Sequence, residues 1–596
     1  MNGTFRFSPR PNRASEIRWR EWGDKPFEEA AEQGKLVLLS ISAVWCHWCH
    51  VMDETTYSDP EVIELVNRDF IPVRVDNDRR PDINRRYNQG GWPTTAFLSP
   101  QGALLAGTTY LPPQQMREVL RRFRQLWMEQ GDEINLQVEQ ALAEAGKQGE
   151  LAPPSPSGTL HPGIRDEVWR AVSRAQDREH GGLGSAPKFP MFEALELALD
   201  LHLDRDSLPA LAWAELTARR MLEGGVYDKV EGGLFRYSTT PDWSVPHYEK
   251  MLMDNARFAL LLLRLYALTG DRSYSGGAAE VLAYLGGTLS DGKGRFFGSQ
   301  DADEEYYSLD REGRGKAKPP PVDRTLYADG QAVAAAAFLK GGAVLDAEDL
   351  RGTGLAALQV LASLHDRERG LPHYHDGWGG GGWGLLEDQV AALEAFLCGY
   401  QHLEDPEWLE RARGLAGLVL RYYRDGGGAL LDMDGRFAPA RVQPQRAELE
   451  AASGLARSLI ILSELDGDTS YGDASRSILE EYADSYYAYG FHAAAYARAV
   501  DLYLAHPTVI RMRGWGEAGA MRRIILSSPL PRLIYIPDGN NINENEADGI
   551  SGKDGDANEV HALICRGSSC ESRIAEAAAL AQALRISIDR RDGGKA

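Results

Sequence analysis

At 596 residues the chain exceeds what one hydrophobic core serves, and with 43% hydrophobic residues it can fill two or three domains. A formal charge of −22 opposes phosphate backbones and anionic lipid. No basic patch offsets it, because the arginine cluster NDRRPDINRR at 77–86 is interleaved with carboxylates and reads as a mixed, solvated surface turn, so no nucleic-acid partner is expected. No apolar run approaches the roughly 20 residues of a membrane span, and the start MNGTFRFSPRPNRASEIRW has no apolar h-region. Five cysteines do not make a disulfide framework, and the expected compartment is cytoplasmic.

In chain order, KLVLLSISA at 35–43 is an apolar run of strand length, followed by WCHWCH at 45–50 and a helix-compatible stretch. FIPVRVD at 70–76 alternates as a second strand, and TTAFLSPQGALLAGTTY at 94–110 reads as a hairpin turned at Pro100-Gln101-Gly102. A charge-rich helix from Gln114 to Gly149 closes an α/β domain over 1–149. ELAPPSPSGTLHP at 150–162 has linker composition.

From 163 to 506 about a dozen segments place apolar residues at helical i, i+3, i+4 spacing. Gly-rich, aromatic-bearing stretches recur between them: HGGLGSAPKF at 180–189, VEGGLFRYS at 230–238, GKGRFFGSQDAD at 292–303, RGLPHYHDGWG at 369–379 and DGGGALLDMDG at 425–435. Six helical hairpins closed into an (α/α)6 barrel account for both features and gather one loop per hairpin at the mouth. An open solenoid of stacked pairs is the alternative. The tail, 507–596, alternates again and predicts a small α/β appendage interrupted by a polar, disordered loop at 538–559. Its Cys565 and Cys570 are expected to be free thiols.

Cys46-His47-Trp48-Cys49 is a C-x-x-C, and His50 extends it to the C-x-x-C-H of haem attachment. Three chemistries are open. Haem attachment wants an exported chain, and zinc wants a fourth ligand beyond Cys46, Cys49 and His50. A redox dithiol is favoured by position: a cysteine opening a helix has its thiolate stabilised by the dipole and free N–H groups, and a protonated His47 adds to that. Pro93 in GWPTT precedes a strand as a cis-proline facing a dithiol does.

Taken together, KLVLLSISAVWCHWC, FIPVRVD and GWPTTAFLSPQG resemble a thioredoxin fold in order, with Cys46 matching the attacking thiol, Cys49 the resolving thiol and Pro93 the cis-proline. More closely, WCHWCHVM, RPDI, GGWPTTAFLSPQG and GTTYLPP, then GGLGSAPKFP, GGVYDKVEGGLFRYS, VPHYEKMLMDNA, QDADEE and LLEDQVAAL, resemble the thioredoxin-domain family that includes spermatogenesis-associated protein 20. The chain departs from that family in a shorter segment after QDADEE and in Ala328-Asp329, where the family carries Trp-Asn.

The resemblance implies a thioredoxin-like domain fused to a barrel like those of six-hairpin glycosidases and sugar 2-epimerases. Such a barrel needs acid/base groups and aromatics around a cavity. Arg236, Tyr237, Trp243, Asp254, Asp301, Asp303, Glu387 and Asp388 are the ligand-binding candidates, with His247 and Glu249 as the acid/base pair. Helix capping competes for Glu387 and Asp388, and turn-fixing for Asp301 and Asp303. His373 and His375 share a strand face without an evident carboxylate partner, so no metal and no cofactor are expected. The expected partners are a carbohydrate-like small molecule, a disulfide-bearing protein, or both. Sugar processing with a purely structural thioredoxin-like domain, and a non-catalytic scaffold, are the rival readings.

Overall fold

Leu36–Ser42, an apolar run buried at every residue, forms the central strand β1 of the first domain. Burial on both faces suits its Val, Leu and Ile side chains. It pairs in parallel with β2 (Phe70–Asp76) and antiparallel with β3 (Thr94–Leu98), which turns through Gly102 (φ 88°) into β4 (Leu104–Thr108). The sheet order is β2-β1-β3-β4, and a parallel bridge from Arg20 to Val73 extends the β2 edge. Around it lie α1 (Asp24–Gln33), α2 (His47–Glu54), α3 (Pro60–Asp69), α4 (Pro81–Tyr87) and α5 (Pro113–Glu150). Val37, Leu39 and Ile41 face one apolar cluster and Leu36 and Leu38 the other, as strand alternation dictates. The computed structural model describes residues 5–150, 158–513, 519–537, 560–566, 569–570 and 573–584. Most of the expected linker and the whole of 538–559 lie outside them.

Fourteen helices follow: α6 (Gly163–Ala175), α7 (Phe192–Arg205), α8 (Leu208–Glu223), α9 (Leu252–Thr269), α10 (Arg272–Gly287), the short α11 (Glu304–Tyr307) and α12 (Arg311–Lys316), α13 (Ala328–Leu345), α14 (Glu348–Leu364), α15 (Leu386–Leu403), α16 (Pro406–Tyr422), α17 (Leu449–Asp466), α18 (Thr469–Glu480) and α19 (Ala494–Ala505). Helices α7, α9, α13, α15, α17 and α19 touch in succession, and α19 returns to α7. The ring is therefore closed, which rules out the open solenoid. Outside it α8, α10, α14, α16 and α18 each pair with the inner helix preceding them, and α6 pairs with α19.

The two ends of the barrel differ for a local reason. Inner helices α7, α9, α13, α15 and α17 end on a left-handed residue, respectively Asp206, Gly270, Asp346, Glu404 and Gly467. The outer helix starts two residues later, and the side chains of Asp271, Asp405 and Asp468 cap α10, α16 and α18. Those turns are too tight to carry anything else. All the long Gly-rich loops therefore fall at the opposite end, where the inner helices begin.

The last unit has a central strand Thr508–Arg513 between a parallel Leu533–Ile536 and an antiparallel His561–Arg566. It closes the tight-turn end of the barrel: Arg264 Nε donates to the Pro529 carbonyl, Lys340 Nζ to that of Leu526, and Tyr535 Oη to Glu404. Cys565 and Cys570 face each other across a two-strand ladder and are disulfide-bonded, which corrects the expectation of free thiols. Among the described residues no helix is long and apolar enough to cross a membrane.

Candidate functional site at the mouth of the barrel

Cys46 N-caps α2, its Sγ accepting the Cys49 N–H at 3.2 Å, and the two cysteines form a disulfide. The Trp92-Pro93 peptide is cis. The geometry brings together what the sequence suggested, with one difference. Cys46 is only 5% exposed and Cys49 2%, because Trp45, Trp92 and, from the barrel, Met251 pack over them. His47 points outward against Trp48. His50 turns inward: its Nε2–H donates to the Val44 carbonyl at 2.9 Å, and Nδ1 lies 3.9 Å from Asp301 of the barrel. Burial holds the His50 ring below its ordinary pKa and pushes the Asp301 carboxyl up to about 7, with Glu249 and Asp303 adding like charge.

The barrel loops meet this surface. His247 Nδ1 sits 3.2 Å from both Glu249 oxygens, and its ring stacks on Tyr237, which stacks in turn on Phe189. The Arg236 guanidinium lies over Trp45 at 4.2 Å and Trp92 at 5.1 Å, and its backbone N–H donates to the Glu249 carbonyl. A cation over an indole face is a favourable contact that here joins the two domains.

Other candidates have structural employment. Trp243 is fully buried in the barrel wall, its Nε1–H donating to the His180 carbonyl, so it binds no ligand. Asp303 caps α11 through the Tyr306 N–H, the turn-fixing role, which dissolves the supposed Asp301/Asp303 carboxylate pair. Glu387 and Asp388 lie in the first turn of α15, where carboxylates suit the helix N-terminus. Glu387 also pairs with Arg85 of the first domain, and Asp388 with His373 at 2.9 Å. The carboxylate partner that the sequence did not reveal for His373 is therefore Asp388, with Asp329 close by. His373 Nε2–H donates to the Asp78 carbonyl of the first domain, while Nδ1 stays with Asp388 on the barrel rim. His375 accepts the Gly377 N–H on its hairpin.

The largest correction concerns 77–86. That stretch is not a solvated turn: Arg79 reaches Asp376, Arg85 reaches Glu387, and Arg86 reaches Asp432 at 3.0 Å with both partners buried. A positive face of the first domain docks on a negative barrel rim, reinforced by Arg6 on Asp323 and by Leu385, Met433 and Val442, which join the core around Trp22 and Tyr87. Alternating charges in sequence had hidden this. Asp82, which interrupts the run, folds back on Arg80, leaving the other arginines free to dock.

Beneath this roof the inner helices enclose a charged hollow. Arg257 on α9 pairs with Glu450 on α17 at 2.8 Å. These helices are opposite in the ring, so the pair spans the bore. The two side chains nevertheless keep 37% and 55% of their surface accessible, and Glu394, held 3.5 Å from Arg457, keeps 40%. Side chains on the inside of a closed ring retain such surface only by lining a cavity. Asp254 sits one turn above Arg257, and burial raises its carboxyl and that of Glu394. Lower down, Arg498 on α19 and Arg264 on α9 bind Glu196 and Asp200 on α7, tying three neighbouring inner helices together.

Comparison with known proteins bears on the first domain. Residues 10–145 match the family Thioredox_DsbH, described as a protein of unknown function, DUF255. The chain is 33% identical over 311 residues to spermatogenesis-associated protein 20 of Homo sapiens, a match covering 48% of this chain and 39% of that relative, so it spans about two fifths of the relative's length. Thioredoxin H5 of Oryza sativa subsp. japonica is 32% identical over 107 residues, 17% of this chain and 74% of its own. Among solved structures, a sugar epimerase from a ruminal bacterium aligns with a TM-score of 0.45 at 14% identity, over 54% of this chain and 86% of its own. The chain is a thioredoxin-like domain joined to an (α/α)6 barrel.

Proposed function

We propose that the barrel binds and processes a small hydroxylated, carbohydrate-like ligand in the hollow beneath the thioredoxin-like domain, which serves as its roof. The observation that carries this reading is the Arg257–Glu450 pair, which crosses the bore while both side chains stay accessible. Polar partners for hydroxyls line the hollow, and the exposed ring of Phe189, backed by Tyr237, offers an aromatic face for a sugar ring. His247, oriented by Glu249, is the proton-transfer group, and Arg236 orients a hydroxyl from above.

The dithiol is a second activity, favoured by the helix-capping position of Cys46 beside the cis Trp92-Pro93 peptide. Because Met251 covers the pair, Cys46, once its bond to Cys49 has been reduced by an external dithiol, attacks an external disulfide only after the roof lifts; one substrate thiolate leaves, and Cys49 then attacks Cys46 Sγ, releasing the second and restoring the Cys46–Cys49 bond. Calorimetry with neutral mono- and disaccharides, followed by turnover assays on those that bind, tests the main reading. His247→Ala abolishes turnover and Cys46→Ser spares it. A chain that binds none of these sugars, or loses sugar turnover in Cys46→Ser, overturns the reading.

A further inference from the structure

Two carboxylates at the seam between roof and barrel share one imidazole. His373 Nδ1 lies 2.9 and 3.1 Å from the Asp388 oxygens, and an Asp329 oxygen stands within 4.8 Å of both groups. Asp329 and Asp388 lie in the first turns of the neighbouring inner helices α13 and α15. The helix dipole accounts for an acid in either turn, but not for the convergence of two on one ring nitrogen. Glu387 beside them is answered by Arg85, whereas among the described residues no arginine or lysine forms an ion pair with Asp329 or Asp388. A protonated imidazole sets one positive charge against two negative ones, in a place where Asp388 is fully buried and His373 only 6% exposed.

The ring is also held as a metal ligand is held. Its Nε2–H is fixed on the Asp78 carbonyl at 2.6 Å, which turns Nδ1 toward the carboxylates. Ligand atoms about 3 Å apart are neighbours around a cation bonded at about 2.0–2.2 Å, and His373 Nδ1 and Asp388 already have that spacing. Asp329, which accepts the Gly330 N–H through one oxygen, supplies the third ligand.

We infer that Asp329, His373 and Asp388 bind a divalent first-row transition cation at the seam, its two charges balancing the two carboxylates. One imidazole and two carboxylates suit zinc or manganese better than calcium, which takes oxygen ligands alone. In the metal-free chain a proton on Nδ1 fills the same place.

Calorimetry with zinc, manganese and calcium chlorides tests it on the oxidised full chain, stripped of metal, in which the bonded Cys46 and Cys49 cannot compete. About one equivalent of zinc or manganese is expected, with a Kd of about 1 μM or tighter and calcium at least about tenfold weaker. Asp329→Asn, which keeps the size of the side chain, and Asp388→Asn each weaken zinc at least about a hundredfold, since losing a ligand costs more than losing its outer support. Zinc raises the Tm of the unsubstituted chain and not that of Asp329→Asn, whose Tm in EDTA separates lost binding from lost folding. Crystals of the unsubstituted chain soaked in zinc chloride show anomalous density between the three side chains. No binding of zinc or manganese, zinc affinity unchanged in Asp329→Asn, calcium as tight as zinc, or anomalous density only elsewhere overturns the inference and leaves the sugar reading standing.

Discussion

Removing the guanidinium of Arg86 is the sharpest test of the docked roof. Arg86 and Asp432 are both buried at the seam, and Arg86 also donates to the Gln443 carbonyl, so Arg86→Ala strands a carboxylate in a dry interface. Breaking such a pair from one side costs about 3–5 kcal/mol. Even the lower figure, spent on the docked state alone, raises the population of the lifted roof about a hundredfold, at about 1.4 kcal/mol per decade. The readout is alkylation of Cys46 by iodoacetamide in the reduced protein, followed by peptide mass spectrometry. Cys398 is the internal standard: it lies on inner helix α15, and burial pushes its thiol up to about 11. Local lifting accelerates Cys46 about a hundredfold and leaves Cys398 alone. Equal acceleration of both would mean global unfolding, and an unchanged Cys46 rate would refute the reasoning that the roof guards the dithiol.

The remaining predictions concern salt and pH. Arg79–Asp376 and Arg85–Glu387 are only partly buried, so 1 M salt is expected to speed Cys46 alkylation in the unmodified protein, read by the same assay. The Asp301 carboxyl is raised by burial from 3.8 to about 7, so folding loses stability as pH rises from about 4 to 7. Asp301→Asn removes that penalty and raises the urea midpoint at pH 8 by the equivalent of a few kcal/mol. Burial lowers the His373 ring but Asp388 more than offsets it, lifting the pKa from 6.5 to about 10. Its contribution is complete below 6.5 and lost between 6.5 and 10, and His373→Gln flattens that alkaline decline in denaturation curves. Asp200 is raised by burial yet carried down to about 2 by Arg498 and Arg264. It stabilises the barrel above pH 4 and loses that effect toward pH 2, and Asp200→Asn shifts acid unfolding accordingly, by on the order of 2 kcal/mol.

Much of the architecture could be read from the chain because it is local. An apolar run of strand length marked 35–43 and alternation marked 70–76 as strands, Pro100-Gln101-Gly102 marked the hairpin, and the recurring Gly-rich insertions marked the loops at the barrel mouth. The pairing of His247 with Glu249 was legible because the two are neighbours in sequence. What stayed hidden was long-range. Arg85 and Glu387 are 302 residues apart, and nothing in NDRRPDINRR says which of its arginines Asp82 neutralises. The bore was hidden too: Arg257, Glu394 and Glu450 look like ordinary charges on solvated helix faces until the ring closes and turns those faces inward. Trp243 misled for the opposite reason, since an aromatic in a polar loop has the composition of a sugar platform, and only its burial against the His180 carbonyl assigns it to the wall.

The account depends on a ligand-sized space under the roof. Crystals of the full chain soaked with cellobiose, a neutral disaccharide, test it most directly. Density is expected inside the ring between the Arg257–Glu450 pair and Arg236, within contact of Asp254. Density only on the outer surface, or a bore filled at that level by the protein's own side chains, would contradict it.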